Sequence, residues 1–336
     1  MSPNPDPSSD LSSDPPSDPS SASAGYAVEH RTAVGAAEEA GALLRSRFPD
    51  GFAAHAKGQQ GDVVTDLDVA AEQLVVGRIR DRFPHDRILA EESGELAGDG
   101  GGRTWLIDPL DGSNNVVIGL PVYVVGVALC VEDTPVVGVV HDPLTARTWS
   151  ARRGGGAQGP GGRLAVPPRA RPLSAAGPLL AWTQGHAVSR DDPVACALRH
   201  TLELRSRRLL QLWAPLVAWA MLARGDIDGF VGYRAEAIDL PAGALLAREA
   251  GVALRHLDGA EFGGGFGGPD TGRSFVAGRP EMLPHLLDLV SPFSPGTEGT
   301  HMGGTVPTGP AARRSSAAGT SPSGPTSGLR PGRPPA

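Results

Sequence analysis

Two carboxylates three positions apart, Asp108 and Asp111, lie in the stretch of the chain whose residue types are best suited to chemistry. The apolar run before them, residues 105–107, predicts a short buried strand. We expect that strand to end at Asp108-Pro109, and Asp111-Gly112 predicts a second tight turn. Because Mg²⁺ prefers oxygen ligands, two carboxylates at the end of a buried strand are suited to bind it.

The residues after this turn, Ser113, Asn114 and Asn115, are of types that cap helix N-termini. The backbone N–H groups of Gly112 and Ser113 would point the same way and could bind a phosphate. Either aspartate dipeptide alone is an ordinary turn former. Both occur within five residues, directly after an apolar strand, and this favours a site for a cation and a phosphate.

Further carboxylates stand at the ends of predicted elements, namely Asp68, Glu91, Glu92 and Asp239. Taken singly, Asp239 would be a helix N-cap and Glu91-Glu92 a solvent-exposed pair. Together they favour a metal site, because converging carboxylates repel one another unless a cation joins them. The nine histidines lack the His-x-x-x-His spacing of zinc sites.

Lys57 is the only lysine of the chain. A compositional bias towards arginine explains this if the position has no function. The functional interpretation is that a flexible ammonium is needed there and a planar guanidinium is not.

The elements that must position these residues alternate between helix and strand. Helices are predicted over residues 26–48, 66–83, 193–204, 214–223, 239–250 and 281–289. Strands are predicted over residues 63–65, 87–90, 122–131, 135–141, 148–151, 179–182, 209–212, 227–231 and 274–277. Residues 95–103 and 153–162 are glycine-rich and predict loops. The strands over 122–151 should form an antiparallel meander, and the later alternation predicts a sheet covered on both faces.

Composition narrows the possible functions and the compartment. Apolar residues make up 40% of the 336-residue chain, which suffices for a core, and the net charge of −7 argues against a nucleic-acid partner. No apolar run reaches the roughly 18 residues of a membrane span. The N-terminus lacks the basic and apolar regions of a secretory signal, and Cys130 and Cys196 predict reduced thiols. We therefore expect a cytoplasmic protein.

Composition also predicts three segments. Residues 1–25, rich in Ser, Pro and Asp, and residues 291–336, rich in Gly, Pro and Ser, are expected to be disordered tails. Residues 26–290 are expected to form the folded domain.

Five segments, in this order, resemble the signature of the inositol monophosphatase-like family of Mg²⁺-dependent phosphatases. They are Lys57, Val64-Thr65-Asp66-Leu67-Asp68, Ala90-Glu91-Glu92-Ser93, residues 108–113 with Asn115 and Gly119-Leu120-Pro121, and residues 238–243. The resemblance extends over residues 28–289. It implies an α/β fold, an alternating α-β-α-β-α sandwich of the inositol monophosphatase and fructose-bisphosphatase type, and a homodimer.

The resemblance also implies three sets of site residues. The Mg²⁺ ligands would be Glu91, Asp108, the carbonyl of Leu110, Asp111 and Asp239, with Glu92 at a possible third ion. The catalytic set would be Lys57, Asp68, Glu91 and Ser113, of which Asp68 and Ser113 orient a water. The phosphate would contact Asp111, Gly112 and Ser113.

The implied reaction is hydrolysis of a small phosphorylated metabolite, an inositol phosphate or a related polyol or sugar phosphate, by metal-activated water. Histidinol phosphate, fructose 1,6-bisphosphate and 3′-phosphoadenosine 5′-phosphate are alternative substrates, and a catalytically inactive metal-binding relative is an alternative function. The chain departs from the family at Trp213-Ala214-Pro215, where the family has Gly-Ser-Ala or Gly-Thr-Ala. Ile238 also replaces a tryptophan. These departures predict a changed substrate pocket beside retained metal ligands.

Overall fold

The computed structural model describes residues 25–48, 52–57, 62–99, 101–167 and 177–294. The predicted tails fall almost entirely outside these ranges, at residues 1–24 and 295–336.

A layer of two helices forms one face of the molecule. Helix α1 (Ala27–Arg47) packs on helix α2 (Asp66–Arg82). A two-stranded hairpin, β1 (Ala54–Lys57) and β2 (Asp62–Thr65), lies between them in the chain. Thr65 begins α2 with a capping box that it shares with Asp68.

An eight-stranded sheet forms the second layer, against α1 and α2. Its strands are β3 (Arg87–Ala90), β4 (Gly94–Leu96), β5 (Arg103–Asp111), β6 (Val124–Val131), β7 (Thr134–Asp142), β8 (Arg147–Arg152), β9 (Gly156–Gly159) and β10 (Gly162–Leu164). They are ordered β10-β9-β8-β7-β6-β5-β3-β4, and only β3 and β5 pair in parallel. The short helix α3 (Ser113–Val117) follows β5.

The second half of the chain forms a five-stranded mixed sheet of β11 (Leu179–Gln184), β12 (Arg208–Leu210), β13 (Gly229–Tyr233), β14 (Ala253–Arg255) and β15 (Phe275–Gly278). Their order is β12-β11-β13-β15-β14. Helices α5 (Pro215–Arg224) and α6 (Pro241–Glu249) pack against both sheets, whereas α4 (Pro193–Arg205) and α7 (Leu283–Val290) pack on the second sheet. The layers alternate α-β-α-β-α, which confirms the predicted sandwich.

The middle helical layer is held by an aromatic cluster. Trp219 of α5 stacks on Phe275 with ring centroids 4.8 Å apart, and Phe230 meets both rings edge-on. Gly243 lies so close to this cluster that a Cβ there would stand 2.2 Å from the Trp219 ring. Glycine at this position therefore lets α6 approach α5 closely, and this contact fixes the start of α6.

Three predictions of local structure are wrong. Strand β5 does not end at Asp108-Pro109 but continues to Asp111, with a register shift between Asp108 and Asp111. Pro109 is accommodated there because it lies within the irregular part of the ladder, where no N–H is needed. The glycine-rich residues 153–162 contain most of the β9–β10 hairpin rather than a loop, and residues 94–96 form β4.

None of the helices in the described part of the chain has the length and apolar character needed to cross a bilayer.

Candidate active site

The parallel pairing of β3 with β5 brings two of the predicted ligands together. Ala90, the last residue of β3, lies opposite Ile107 of β5, and the N–H of Glu91 donates to the carbonyl of Ile107 at 3.1 Å. Parallel strands present their carboxyl ends at the same edge of a sheet. Glu91 and Asp108, the next residues on the two strands, therefore stand side by side.

The irregular end of β5 orients Asp108 and Asp111. The Asp108 carboxylate accepts a hydrogen bond from the N–H of Leu110 at 3.0 Å, and Asp111 accepts one from the N–H of Leu216 at 2.6 Å. Leu216 lies in the first turn of α5, so Asp111 ties β5 to that helix. The next residue, Gly112, has a φ of 112°, and a Cβ there would lie 2.7 Å from the carbonyl oxygen of Val122. Glycine is needed at this turn for both reasons.

Asp239 reaches the same place from the start of α6. The helix begins at Pro241 with Leu240 as its N-cap and no side-chain capping bond, so the single-residue interpretation of Asp239 as a cap is wrong. Asp239 and Asp108 are within hydrogen-bonding reach of each other. Burial, followed by the charges of the neighbouring carboxylates, raises the pKa of both groups well above its ordinary value.

Asp111 is buried beside them. Burial raises the pKa of Asp111 to about 8, although the hydrogen bond from the Leu216 N–H opposes this. The charge of Glu91 adds to the increase. The structure thus brings together Glu91, Asp108, Asp111 and Asp239, the four acidic residues that the resemblance assigns to the two principal metal positions.

Asp68 and Ser113 also meet as the resemblance implies. Ser113 Oγ lies 2.5 Å from Asp68 Oδ1 and 3.0 Å from the carbonyl oxygen of Leu110. The other oxygen of Asp68 accepts the backbone N–H and the hydroxyl of Thr65, so its orientation is fixed by the cap of α2. Burial raises the pKa of Asp68, although these hydrogen bonds act in the opposite direction.

Lys57 contacts the two glutamates of the next motif. Its ammonium nitrogen lies 2.9 Å from Glu91 Oε1 and 2.8 Å from Glu92 Oε1. Burial alone would lower the pKa of Lys57, but the charge of Glu91 and the hydrogen bonds of both carboxylates outweigh it and leave the pKa above its ordinary value. The only lysine of the chain therefore carries a positive charge at the edge of the carboxylate cluster.

The sequence interpretation missed Glu72. This buried carboxylate accepts the N–H of Glu92 at 2.7 Å, the N–H of Ser93 at 2.9 Å and the Ser93 hydroxyl at 2.5 Å. It lies one turn after Asp68 on the same face of α2. The four-residue spacing from Asp68 places Glu72 on the same face of the helix, but nothing in the sequence indicates that this carboxylate is buried or which donors it meets.

The residues that depart from the family, Trp213-Ala214-Pro215, lie against this site. The side-chain amide of Asn115 donates to the carbonyls of Val122 and Leu212, each at 2.7 Å. Trp213 has a φ of 51° and is 62% exposed. A bulky residue in the left-handed region costs roughly 1–2 kcal/mol relative to glycine.

The donor set fits a hard divalent cation. Four carboxylates and the Leu110 carbonyl are all oxygen ligands. No ion pair in the described ranges neutralises Asp108, Asp111 or Asp239. Within the same ranges, however, no three acidic, histidine or cysteine side chains have the mutual spacing of a formed metal coordination sphere. Burial and mutual repulsion hold the pKa of Asp108 and of Asp239 well above its ordinary value, and a bound cation would relieve this repulsion.

Comparison with known proteins agrees with this geometry. Residues 28–287 match the model of the inositol monophosphatase family. The chain is 34% identical over 262 residues to the Nus factor SuhB of Escherichia coli K12, covering 76% of this chain and 92% of that protein. It is 32% identical over 202 residues to the fructose-1,6-bisphosphatase/inositol-1-monophosphatase of Thermotoga maritima, covering 60% of this chain and 73% of that protein.

Solved structures show the same fold. The inositol monophosphatase of Anabaena (Nostoc) sp. PCC 7120 superposes with a TM-score of 0.66 at 25% identity, over 80% of this chain and 98% of that one. The extragenic suppressor protein suhB of Bartonella henselae gives a TM-score of 0.69 at 24% identity, over 80% and 100%. Together these findings define the class of the protein as a phosphatase, a hydrolase. Within that class, the chain belongs to the inositol monophosphatase family.

Proposed function

We propose that the chain is a Mg²⁺-dependent phosphomonoesterase that hydrolyses the phosphate ester of inositol or of a related small polyol or sugar. The observation that carries this proposal is the convergence of Asp108, Asp111 and Asp239, which have no ion-pair partner in the described part of the chain, beside the hydrogen-bonded pair of Asp68 and Ser113. Dependence on Mg²⁺ is general in the family to which the chain belongs.

The ligands divide into two overlapping sets. Glu91, Asp108 and the Leu110 carbonyl would hold one ion, and Asp108, Asp111 and Asp239 the other, with Glu92 available to a third. When bound, Mg²⁺ lowers the pKa of water and stabilises the negative charge on the leaving oxygen.

The protein's own groups position the reactants. Asp68 accepts a hydrogen bond from the Ser113 hydroxyl, which leaves the lone pairs of Ser113 Oγ free to accept a hydrogen bond from the attacking water. The N–H groups of Gly112 and Ser113 donate to the phosphoryl oxygens and balance their growing charge. Lys57 holds Glu91 and Glu92 in place. Because water attacks phosphorus directly, this arrangement needs no covalent phosphoenzyme.

The test is phosphate release from a panel of small esters with and without Mg²⁺. The panel holds inositol phosphate, histidinol phosphate, fructose 1,6-bisphosphate, 3′-phosphoadenosine 5′-phosphate and the unspecific ester p-nitrophenyl phosphate. We expect metal-dependent release from at least one ester. If folded protein that binds Mg²⁺ releases no phosphate from any of them, the catalytically inactive metal-binding relative becomes the better account.

We also propose that the protein is a cytoplasmic homodimer. Its partner would be a small phosphorylated metabolite, and it would bind neither nucleic acid nor a membrane. The net charge of −7 supports the exclusion of nucleic acid, because a phosphate backbone repels an acidic surface. Size-exclusion chromatography with light scattering measures the oligomeric state, and a monomer at micromolar concentration would contradict the dimer.

A further inference from the structure

We propose that Trp213 forms an aromatic subsite at the mouth of the active site, and that it selects phosphate esters whose alcohol carries a flat aromatic ring. This inference rests on the proposed phosphatase function and narrows its substrate class. A sugar that carries a nucleobase is one such alcohol.

Trp213 is fixed next to the reacting groups by hydrogen bonds on both sides. One residue before it, the carbonyl of Leu212 accepts the side-chain amide of Asn115 at 2.7 Å. Three residues after it, the N–H of Leu216 donates to Asp111 at 2.6 Å. Both partners belong to the central motif of the site. A phosphoryl group bound at Asp111 would therefore lie close to this segment, and the proposal places the alcohol of the ester against it.

Neither packing nor backbone geometry explains a tryptophan at this position. Its side chain is 62% exposed, so it adds little to the core, whereas Trp105 and Trp219 are fully buried. Its φ of 51° is a conformation that glycine adopts freely and bulky residues avoid. A residue that is both exposed and strained at a site suggests a role in binding.

The surroundings favour a flat ring over a bare polyol. The hollow beside Trp213 has a volume of only about 10 Å³, room for one water molecule, so a ring would lie on the exposed face of the indole and not inside the hollow. The side chains around the indole include Trp182, Thr183 and Leu212. Thr183 supplies the only side-chain hydroxyl that lines this hollow, so a polyol lying on the face of the indole would cover apolar surface and find few hydrogen-bond partners there. An aromatic ring loses none and gains a stacking partner in the indole.

Two pairs of substrates isolate the ring from the phosphate chemistry. Adenosine 5′-phosphate and ribose 5-phosphate carry the same primary phosphate, with and without a base. 2-Phenylethyl phosphate and 2-cyclohexylethyl phosphate carry the same alkyl ester with an aromatic or a saturated ring. For each pair, kcat/KM is measured with Mg²⁺ in the wild type, Trp213→Gly and Trp213→Phe.

We expect the wild type to prefer the aromatic member of each pair by about tenfold or more, mainly through KM. Trp213→Gly should bring both ratios close to one, mainly by raising KM for the aromatic member of each pair, and Trp213→Phe should retain the preference. Glycine suits the backbone at this position, so Trp213→Gly should fold, which its thermal unfolding checks. An absent preference in the wild type, or one unchanged in Trp213→Gly, overturns the inference.

A second measurement does not depend on turnover. Adenosine added to the protein should quench tryptophan fluorescence by stacking on Trp213, and the quench should disappear in Trp213→Phe. Metal-dependent hydrolysis of p-nitrophenyl phosphate without either signal would remove the aromatic subsite and leave the phosphatase in place. No hydrolysis of any ester would remove the proposed function itself, together with the substrate class derived from it.

Discussion

Asp68 and Glu72 stand one helical turn apart on the buried face of α2, and each binds a different loop of the active site. Asp68 accepts the hydroxyl of Ser113 at 2.5 Å, whereas Glu72 accepts the N–H groups of Glu92 and Ser93 at 2.7 and 2.9 Å. One helix therefore sets the distance between the water-orienting pair and the glutamates of the metal site.

Substitution of Glu72 should loosen the turn at Glu92 and Ser93 without removing any proposed Mg²⁺ ligand. In Glu72→Gln, only one side-chain oxygen can accept a hydrogen bond. The new NH₂ group then faces a backbone N–H, and neither can accept from the other. We expect the Mg²⁺ concentration for half-maximal activity to rise about tenfold, with a loss of roughly 1–3 kcal/mol in the free energy of unfolding.

The matched control is Glu203→Gln, which makes the same change at an exposed position of α4. Activity titrated with Mg²⁺ in both variants gives the comparison. An identical Mg²⁺ dependence in Glu72→Gln and Glu203→Gln would show that Glu72 does not position the site.

Ser113 and Asp68 should act as a unit. Ser113→Ala removes the hydroxyl that orients water, and we expect kcat to fall by about 100-fold with KM little changed. Ser113→Thr keeps the hydroxyl and should retain activity. Adding Asp68→Asn to Ser113→Ala should cost little more than either change alone, since the two groups serve one step. Fully additive losses would contradict this coupling.

Lys57 tests whether the rarity of lysine has a function. Its compact ammonium group forms ion pairs with Glu91 and Glu92 through a single nitrogen. The larger, planar guanidinium of arginine does not fit between the two carboxylates in the same way. Lys57→Arg should lower turnover while the thermal unfolding midpoint stays near that of the wild type. An unchanged rate would mean that arginine serves as well and that the single lysine reflects composition.

Stability should fall in mild acid because of buried His141. Its Nδ1 lies 3.0 Å from the Thr148 hydroxyl, and burial lowers the pKa of His141 below its ordinary value. The unfolded chain therefore binds a proton at a higher pH than the folded one. The stabilisation is fully present above about pH 6.5 and is lost as pH falls towards the folded-state pKa.

Urea unfolding of the wild type and His141→Asn at pH 7.5 and pH 5.5 measures this effect. Asparagine keeps a polar atom near Thr148 and does not titrate. The loss of stability between the two pH values should be smaller in the variant, although some remains because burial also lowers the pKa of His30. Equal losses in both proteins would exclude His141 as a contributor.

Local patterns predict much of this fold because capping residues, glycine and proline mark where many of its elements begin and end. Strand β3 and the bounds of α2 follow closely from such patterns. The irregular end of β5 does not, because Asp-Pro and Asp-Gly signal turns whether or not a neighbouring strand pairs past them. The β9–β10 hairpin was not predicted, because its residues are mostly glycine and polar, which are typical of loops.

Some residues of the candidate site could likewise be predicted from local sequence and others could not. Asp108 and Asp111 could be predicted from their residue type and their position after an apolar strand. Asp239 could be grouped with them as a carboxylate at the end of an element, but its place in the ligand set came from the family resemblance, because tertiary packing of α6 brings it there. The role of Glu72 was not predicted, because its hydrogen-bond partners lie 20 and 21 residues further along the chain. Hydrogen bonds over such separations leave no periodic trace in the sequence.

The most direct test of the account is Mg²⁺-dependent phosphate release by Asp111→Asn beside Asp288→Asn, which makes the same charge change on the exposed surface of α7. Asp111 has the central place here, because it connects the carboxylate cluster to α5. We predict that Asp288→Asn keeps wild-type activity and that Asp111→Asn loses at least about 100-fold while remaining folded. Equal activity of the two variants would contradict the assignment of the active site.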